Sequence, residues 1–302
     1  MWDSALWLDK INEAQRLHST KGVRVEVYTS TRNIIEKGSY LTDTGNIVNL
    51  CEILTPDIAS KSVFYFKELP KISCESRHKT IFSVRQEDCL ATASELLTED
   101  PTNDVCVLNM ASGSMPGGGV LNGSGAQEEY LFRCSDYYRS LYQYANSRYL
   151  DSKDFGIVPH PSCRYPLDKN FGGIYSPSVT VFRDDEAHGY ALVEHPWKVN
   201  MVAVPAVNLN RFRPTQDEYT KTMKNKIRTI LRIAYNNNQR RLVLSAFGCG
   251  AFRNDPNVVA TFFKDVLMES EFEGVFREIH FSIIENHNSQ GRNVTAFQKV
   301  FD

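Results

Sequence analysis

Hydrophobic positions along the chain settle into a regular rhythm from about residue 78. KTIFSVRQ (79–86) alternates apolar and polar side chains as a half-buried strand does, whereas DCLATASELL (88–97) spaces its apolar residues for a helix. VCVLNM (105–110) is a continuous apolar run, the mark of a strand covered on both faces in a parallel sheet. AQEEYLFRCSDYYRSLYQYANSRYL (126–150) carries apolar residues at 131, 134, 138, 141, 142 and 145, which predicts a helix through this stretch. Strands come next at VTVF (179–182), VNMVAVPAV (199–207), RLVLSAF (241–247) and FREIHFSII (276–284), with helices at 215–237 and 256–269. Buried strands alternating with helices predict an α/β domain with helices on both faces of its sheet.

The first 77 residues read differently. MWDSALWLDKINEAQRLH interleaves charge with apolar residues as an amphipathic helix, and VRVEVY (23–28) alternates like a short strand. From there to residue 77 the chain is broken by Gly38, Gly45, Pro56 and Pro70. The expected organisation is an N-terminal, mostly helical extension (1–77) packed on a core domain (78–302).

Composition narrows the function classes. With 34 basic and 36 acidic side chains in 302 residues, no overall field attracts nucleic acid or an anionic membrane, so an anionic ligand has to be held locally. No run of about eighteen apolar residues is present, and the N-terminus does not read as a signal segment. The seven cysteines form no C-x-x-C pair, and the seven histidines form no H-E-x-x-H or His/Cys cluster. Reduced, buried thiols in a cytoplasmic or nuclear protein without a metal site are therefore expected.

Two glycine-bearing links run from a buried strand into a helix: 111–126 after VCVLNM, and GCGAFRNDP (248–256) after RLVLSAF. Open α/β sheets bind ligands at those strand ends. Gly117, Gly118 and Gly119 remove Cβ atoms from a ligand's path and permit positive φ, so that successive amides can cradle an anion such as phosphate. Ser124 stands three residues before Gln127, as in a capping box, which places Gln127, Glu128 and Glu129 in the first helical turn. Acidic residues are also favoured there by the helix dipole alone, and glycine turns occur in purely structural loops. No Walker A or G-x-G-x-x-G pattern is present, which argues against a kinase or a dehydrogenase. Two carboxylates beside a phosphate cradle are a repulsive arrangement unless chemistry uses them, and hydrolysis of a nucleotide's glycosidic bond does so: one carboxyl protonates the leaving oxygen and then activates water.

The segment VLNMAS...PGGGVLNGSGAQEE resembles the signature of the microbial type of poly(ADP-ribose) glycohydrolase (PARG), with a Gly-Gly-Gly run and a seven-residue spacer (120–126) before Gln-Glu-Glu. IYSPSVTVFRD, VPAVN and LSAFGCGAFRNDP agree with it. The resemblance implies a macrodomain-like α/β/α sandwich with a mixed, largely parallel sheet. It implies Glu129 as the catalytic acid/base and Glu128 as the holder of the terminal ribose. Gly117, Gly118, Gly119, Val120 and Gln127 would line the ribose and diphosphate, and Gly248, Gly250 and Ala251 would close on the diphosphate. Phe252 falls where the family sets an aromatic ring against the distal ribose, although a loop Phe also packs into cores. Asp88 stands where macrodomains accept from the adenine amino group, and it is equally suited to cap the helix 88–97. Asn109 and Ser112 lie at the strand end. Ser112 stands where the family usually carries an asparagine, and Arg253 where it usually carries a small residue.

The activity implied is metal-free and cofactor-free hydrolysis of ribose–ribose bonds, with poly(ADP-ribose) and ADP-ribosylated proteins as partners and ADP-ribose as product. A monomer is expected, with no membrane association and no direct nucleic-acid binding. The alternatives are a non-hydrolytic ADP-ribose reader and a hydrolase of mono-ADP-ribosyl groups or O-acetyl-ADP-ribose.

Overall fold

The computed structural model describes residues 2–74, 77–285, 289 and 291–302. The N-terminal segment holds helices α1 (Ser4–Arg16) and α2 (Lys21–Lys37), a hairpin of β1 (Ser39–Leu41) and β2 (Ile47–Asn49), the short helix α3 (Ile58–Lys61) and strand β3 (Val63–Tyr65). Next come β4 (Ile81–Arg85), α4 (Cys89–Glu99), β5 (Val105–Met110), α5 (Gln127–Cys134), α6 (Tyr138–Leu141), β6 (Gly173–Arg183) and β7 (Leu192–Val204). The chain ends with α7 (Gln216–Asn236), β8 (Arg241–Leu244), α8 (Pro256–Leu267), β9 (Glu278–Ser282) and α9 (Arg292–Phe301).

A seven-stranded sheet runs in the order β3-β6-β7-β5-β8-β9-β4. β5 pairs in parallel with both β7 and β8, β8 with β9, and β9 with β4, while β3 is antiparallel to β6. This is the mixed, mainly parallel α/β architecture that the alternating pattern predicts. The continuous apolar run 105–110 is β5, buried from Val105 to Asn109 because it lies between two parallel neighbours.

The chain forms two compact units whose segments interleave along the sequence. The first contains Met1–Ser62, Ser114–Tyr165 and Ser176–Val199; the second contains Val63–Gly113, Pro166–Tyr175 and Asn200–Asp302. The second unit has the larger apolar core, in which Met223, Ile227, Ile230 and Ala234 of α7 pack with Val259, Phe263 and Val266 of α8 and with Leu242, Ile279 and Phe281 of the strands. In the first unit Trp7, Ile11 and Ala14 form the buried face of α1, and the Trp7 ring meets Tyr190 edge-on with centroids 5.0 Å apart.

Three expectations need correction. VRVEVY is not a strand but the first half of α2: its burial recurs at Val27, Thr31 and Ile35, every fourth residue, and the polar Thr31 hides that helical face in the sequence. The long helix through 126–150 breaks after Cys134. Ser135 turns extended (φ -146°, ψ 176°) and bridges to Val181, and buried Asp136 accepts from the Thr180 amide at 2.7 Å, so tertiary pairing with β6 overrides the helical spacing. The seven cysteines are not uniformly buried: only Cys89, Cys106 and Cys134 are, and Cys51 is exposed. Among the described residues no helix is long and apolar enough to cross a membrane.

The N-terminus of α2 meets the glycine-rich loop directly. Gly123 is left-handed (φ 71°), and a Cβ there would overlap the Lys21 carbonyl. Gly22, inside α2, has nothing near its Cβ position. Gly123→Ala is therefore expected to destabilise the protein by about 2 kcal/mol or more, from backbone strain plus collision. Gly22→Ala is expected to stabilise it by up to about 1 kcal/mol. Urea titration of both variants measures the contrast.

Candidate active site

The glycine run is shaped by what it must approach. Gly117 (φ 75°) and Gly118 (φ 52°) are left-handed, a conformation that side-chain-bearing residues disfavour. A Cβ on Gly118 would stand 2.5 Å from Glu129 Oε1 and 2.9 Å from Glu128 Oε2, and one on Gly117 would strike the Phe132 ring. With no Cβ in the way, the Gly119 amide donates to Glu129 Oε1 at 2.7 Å and the Gly117 amide donates to Glu128 Oε1 at 3.1 Å. The expected anion cradle is thus corrected in part: these two amides hold the protein's own carboxylates. Among the described residues the Gly118 amide between them has no acceptor in the protein.

Helix α5 begins at Gln127 with Ala126 as its N-cap, and no side chain caps it. The expected capping box at Ser124 is not formed, because the N-cap is Ala126, two residues later, and the helix begins only at Gln127. Ser124 contributes its carbonyl instead, accepting from Arg133 Nη1 at 2.8 Å. Glu128 and Glu129 occupy the first turn, where the helix dipole favours negative charge, yet they are only 3% and 6% exposed. Glu129 Oε2 is buried and has no hydrogen-bond partner, so one carboxylate oxygen is fixed by an amide and the other is unsatisfied within the protein.

Behind the glutamates stands a chain of charge-assisted contacts that the sequence did not reveal. Buried Arg133 donates through Nε to the Tyr190 hydroxyl (2.7 Å), which donates to Glu186 Oε2 (3.0 Å). Glu186 closes a two-pronged ion pair with Arg24 of α2, at 2.7 Å (Nη2 to Oε1) and 3.0 Å (Nε to Oε2). The Arg24 guanidinium lies where a Cβ on Gly125 would fall. Burial works against charge on Glu186, but the Arg24 guanidinium outweighs it, aided by Arg133 and the Tyr190 hydroxyl, and holds the carboxyl below its usual range. Thr31 of α2 also donates to the Arg133 carbonyl at 2.6 Å. The one visible hint was Arg133 itself, a cation set into the apolar stretch LFRC. Tyr165 was missed as well: its buried hydroxyl has no partner, and burial, then the Glu128 charge, push its pKa well above the ordinary value.

Val120 is buried in the short 3-10 turn after the glycine run, in the first unit, and the remaining sequence-derived candidates belong to the second. Asp88 does cap α4, its Oδ1 accepting from the amides of Leu90 (2.7 Å) and Ala91 (3.2 Å). Asn109 is fully buried near the end of β5, and Ser112 is half-buried in the link beyond it. In the loop after β8, Gly248 is left-handed (φ 76°) and packed against Ala206 and Asn254, while Gly250 has open space about it. Phe252 is half-buried against the apolar core and Arg253 is exposed with φ 61°. Among the described residues, the group with metal-ligand geometry is Asp184, Asp185 and His188, an exposed cluster in which the imidazole pairs with Asp185 at 2.7 Å.

A family model for the catalytic domain of microbial-type PARG matches residues 29–184, the stretch that holds the glycine loop, both glutamates, Arg133 and the C-terminal half of α2. This chain belongs to that family. The PARG structure from Thermomonospora curvata is 31% identical and superposes with a TM-score of 0.74 over 92% of this chain and 99% of its own. The same enzyme bound to the inhibitor ADP-HPD gives 30% identity, 91% and 98% coverage and a TM-score of 0.72. PARG from Deinococcus radiodurans in complex with ADP-ribose is 31% identical, with a TM-score of 0.59 over 74% of this chain and 85% of its own. Comparison with curated protein sequences gives no match.

The Arg24–Glu186 pair in this PARG gives a pH signature. The folded-state Glu186 carboxyl titrates below its unfolded value, about 4.3, so its stabilisation is complete above that value and is lost as pH falls through the folded one. Thermal melts of wild type and Arg24→Ala should differ by a constant Tm gap above about pH 5, and the gap should close on acidification below about pH 4.

Proposed function

We propose that this PARG hydrolyses the ribose–ribose O-glycosidic bond of poly(ADP-ribose) and releases ADP-ribose, with Glu129 as acid and then base. The observation that carries the reading is the split environment of one carboxyl group: the Gly119 amide fixes Oε1, and Oε2 is buried with no partner. A proton on Oε2 passes to the leaving ribose oxygen as the C1–O bond breaks, and the sugar acquires oxocarbenium character. The resulting carboxylate takes a proton from water as its oxygen bonds to that carbon, which restores the acid. Retaining Oε1 on the amide throughout means that the group need not turn between the two steps.

Glu128, clasped by the Gly117 amide, is assigned to the terminal ribose hydroxyls as an acceptor. The Gly118 amide is assigned to a ligand phosphate oxygen, with Gly117, Gly119, Val120 and Gln127 shaping the pocket wall around it. In the second unit, Asp88 is assigned to the adenine amino group, Asn109 and Ser112 to ribose positioning, and Gly248, Gly250, Ala251 and Phe252 to the diphosphate and distal ribose. For Asp88 the two Oδ1 contacts to helix amides set the carboxylate's orientation, so capping supports this role and does not compete with it. Within the expected extension 1–77, helix α2 is read as steadying the glycine loop through Arg24 and Lys21. Polymer-bearing, ADP-ribosylated proteins are the partners that this chemistry needs.

Glu129→Gln keeps the amide contact and removes the proton donor. Chromatographic release of ADP-ribose from automodified polymer is expected to fall by about 10³-fold, with ADP-ribose affinity measured by calorimetry unchanged within about threefold. Equal turnover by the two proteins would remove Glu129 from its role, and tight binding without turnover in wild type would mark a reader.

A further inference from the structure

Beyond the ends of β7 and β8, the second unit carries an open groove of about 380 Å³ that none of the assigned residues lines. Its walls come from two loops that are bound together. The Leu209 amide donates to the Phe252 carbonyl at 3.1 Å, Asn210 Nδ2 to the Ala251 carbonyl at 2.6 Å, and Asn254 Nδ2 to the Val207 carbonyl at 2.9 Å. The Tyr219 hydroxyl reaches Asn254 Oδ1 at 2.8 Å. On this fixed frame stands the sequence Arg211-Phe212-Arg213-Pro214. The Phe212 ring is 64% exposed at the groove, although a large aromatic in open water is unfavourable without a partner. Arg213 and Arg253 line the same groove, Arg211 adjoins it, and none of the three guanidiniums makes a hydrogen bond or ion pair among the described residues. Arg253 also holds a left-handed backbone (φ 61°), a conformation in which glycine or asparagine is more ordinary. The facing carboxylate is Asp255, already accepting from the backbone and side-chain nitrogens of Asn257, and nearby Glu218 is held by Thr215. Two free guanidiniums against one engaged carboxylate leave the groove positive.

An exposed aromatic ring flanked by unpaired arginines is how proteins grip a chain of bases joined by phosphates: the ring stacks on a base, and the cations meet the backbone. Poly(ADP-ribose) is such a chain, with an adenine and a diphosphate in every repeat. We propose that this groove binds an ADP-ribose unit further along the polymer than the one being released, with its adenine on Phe212 and its diphosphate between Arg213 and Arg253. The inference rests on the polymer being the substrate. Its consequence is a preference for long chains, carried by residues outside the catalytic machinery.

The test uses the full chain as wild type, Phe212→Ala, Arg213→Ala and the double variant. Both side chains are exposed, so unchanged thermal melts are expected and confirm folding. For long polymer the double variant should raise KM about tenfold at unchanged kcat, while the calorimetric affinity for monomeric ADP-ribose stays the same. Arg213→Ala should also reduce the slope of log KM against log salt by about 0.7. An unchanged polymer KM, or an equal loss of monomer affinity, would overturn the proposal. Were wild type to release no ADP-ribose, the hydrolytic reading would fail by itself, and fluorescence anisotropy with labelled polymer would judge the groove: weaker binding by the double variant supports it, and equal binding overturns it. Single-stranded DNA binding as tightly as polymer would reassign the groove to nucleic acid and overturn it too.

Discussion

The site depends on a clasp between backbone and side chain: the amides of Gly117 and Gly119 each hold one carboxylate of the Glu128–Glu129 pair. Two adjacent acids buried at 3% and 6% exposure repel each other and lose hydration, a penalty that charge-assisted hydrogen bonds offset. The clasp exists only because Gly118 lacks a Cβ, since that atom would press on both carboxylates at once. Glycine here serves close approach as much as backbone freedom. One oxygen of Glu129, Oε2, stays outside the clasp, buried and without a hydrogen-bond partner.

A clasp made by a loop is only as firm as the loop, and the first unit supplies the backing. Arg133, four residues after Glu129, ties α5 to the Ser124 carbonyl and, through Tyr190 and Glu186, to Arg24 on α2. Removing one member of this partly buried chain leaves the next charge without its partner, so the network acts as a unit. Lys21 and Arg24 of α2 lie against Gly123 and Gly125, which makes the N-terminal helices part of the site's support although they bear no reacting group.

Much of the fold and site was legible in the sequence, and the misses have physical causes. β5 was readable because a strand with neighbours on both sides is apolar throughout, and α7 because Tyr219, Met223, Ile227, Ile230 and Ala234 recur at helical spacing. The glycine run and its two glutamates were readable as a motif, and the family match bears the resemblance out. The direction of the amides was not readable, since sequence does not say whether an N–H faces a ligand or a side chain. α2 was misread because three valines at alternate positions mimic a strand, and the residue completing its helical face, Thr31, is polar. The break at Ser135 arises from a bridge to Val181, and the Arg24–Glu186 pair spans 162 residues. Contacts that distant leave no local trace.

The central claim is that glycine amides set the position of the Glu129 carboxyl, and Gly118→Ala tests it most directly. The added methyl would displace the Glu129 carboxylate without touching its chemistry, so kcat for polymer should fall by at least about a hundredfold in a protein that still melts cooperatively. Full turnover in a folded Gly118→Ala protein would contradict the account.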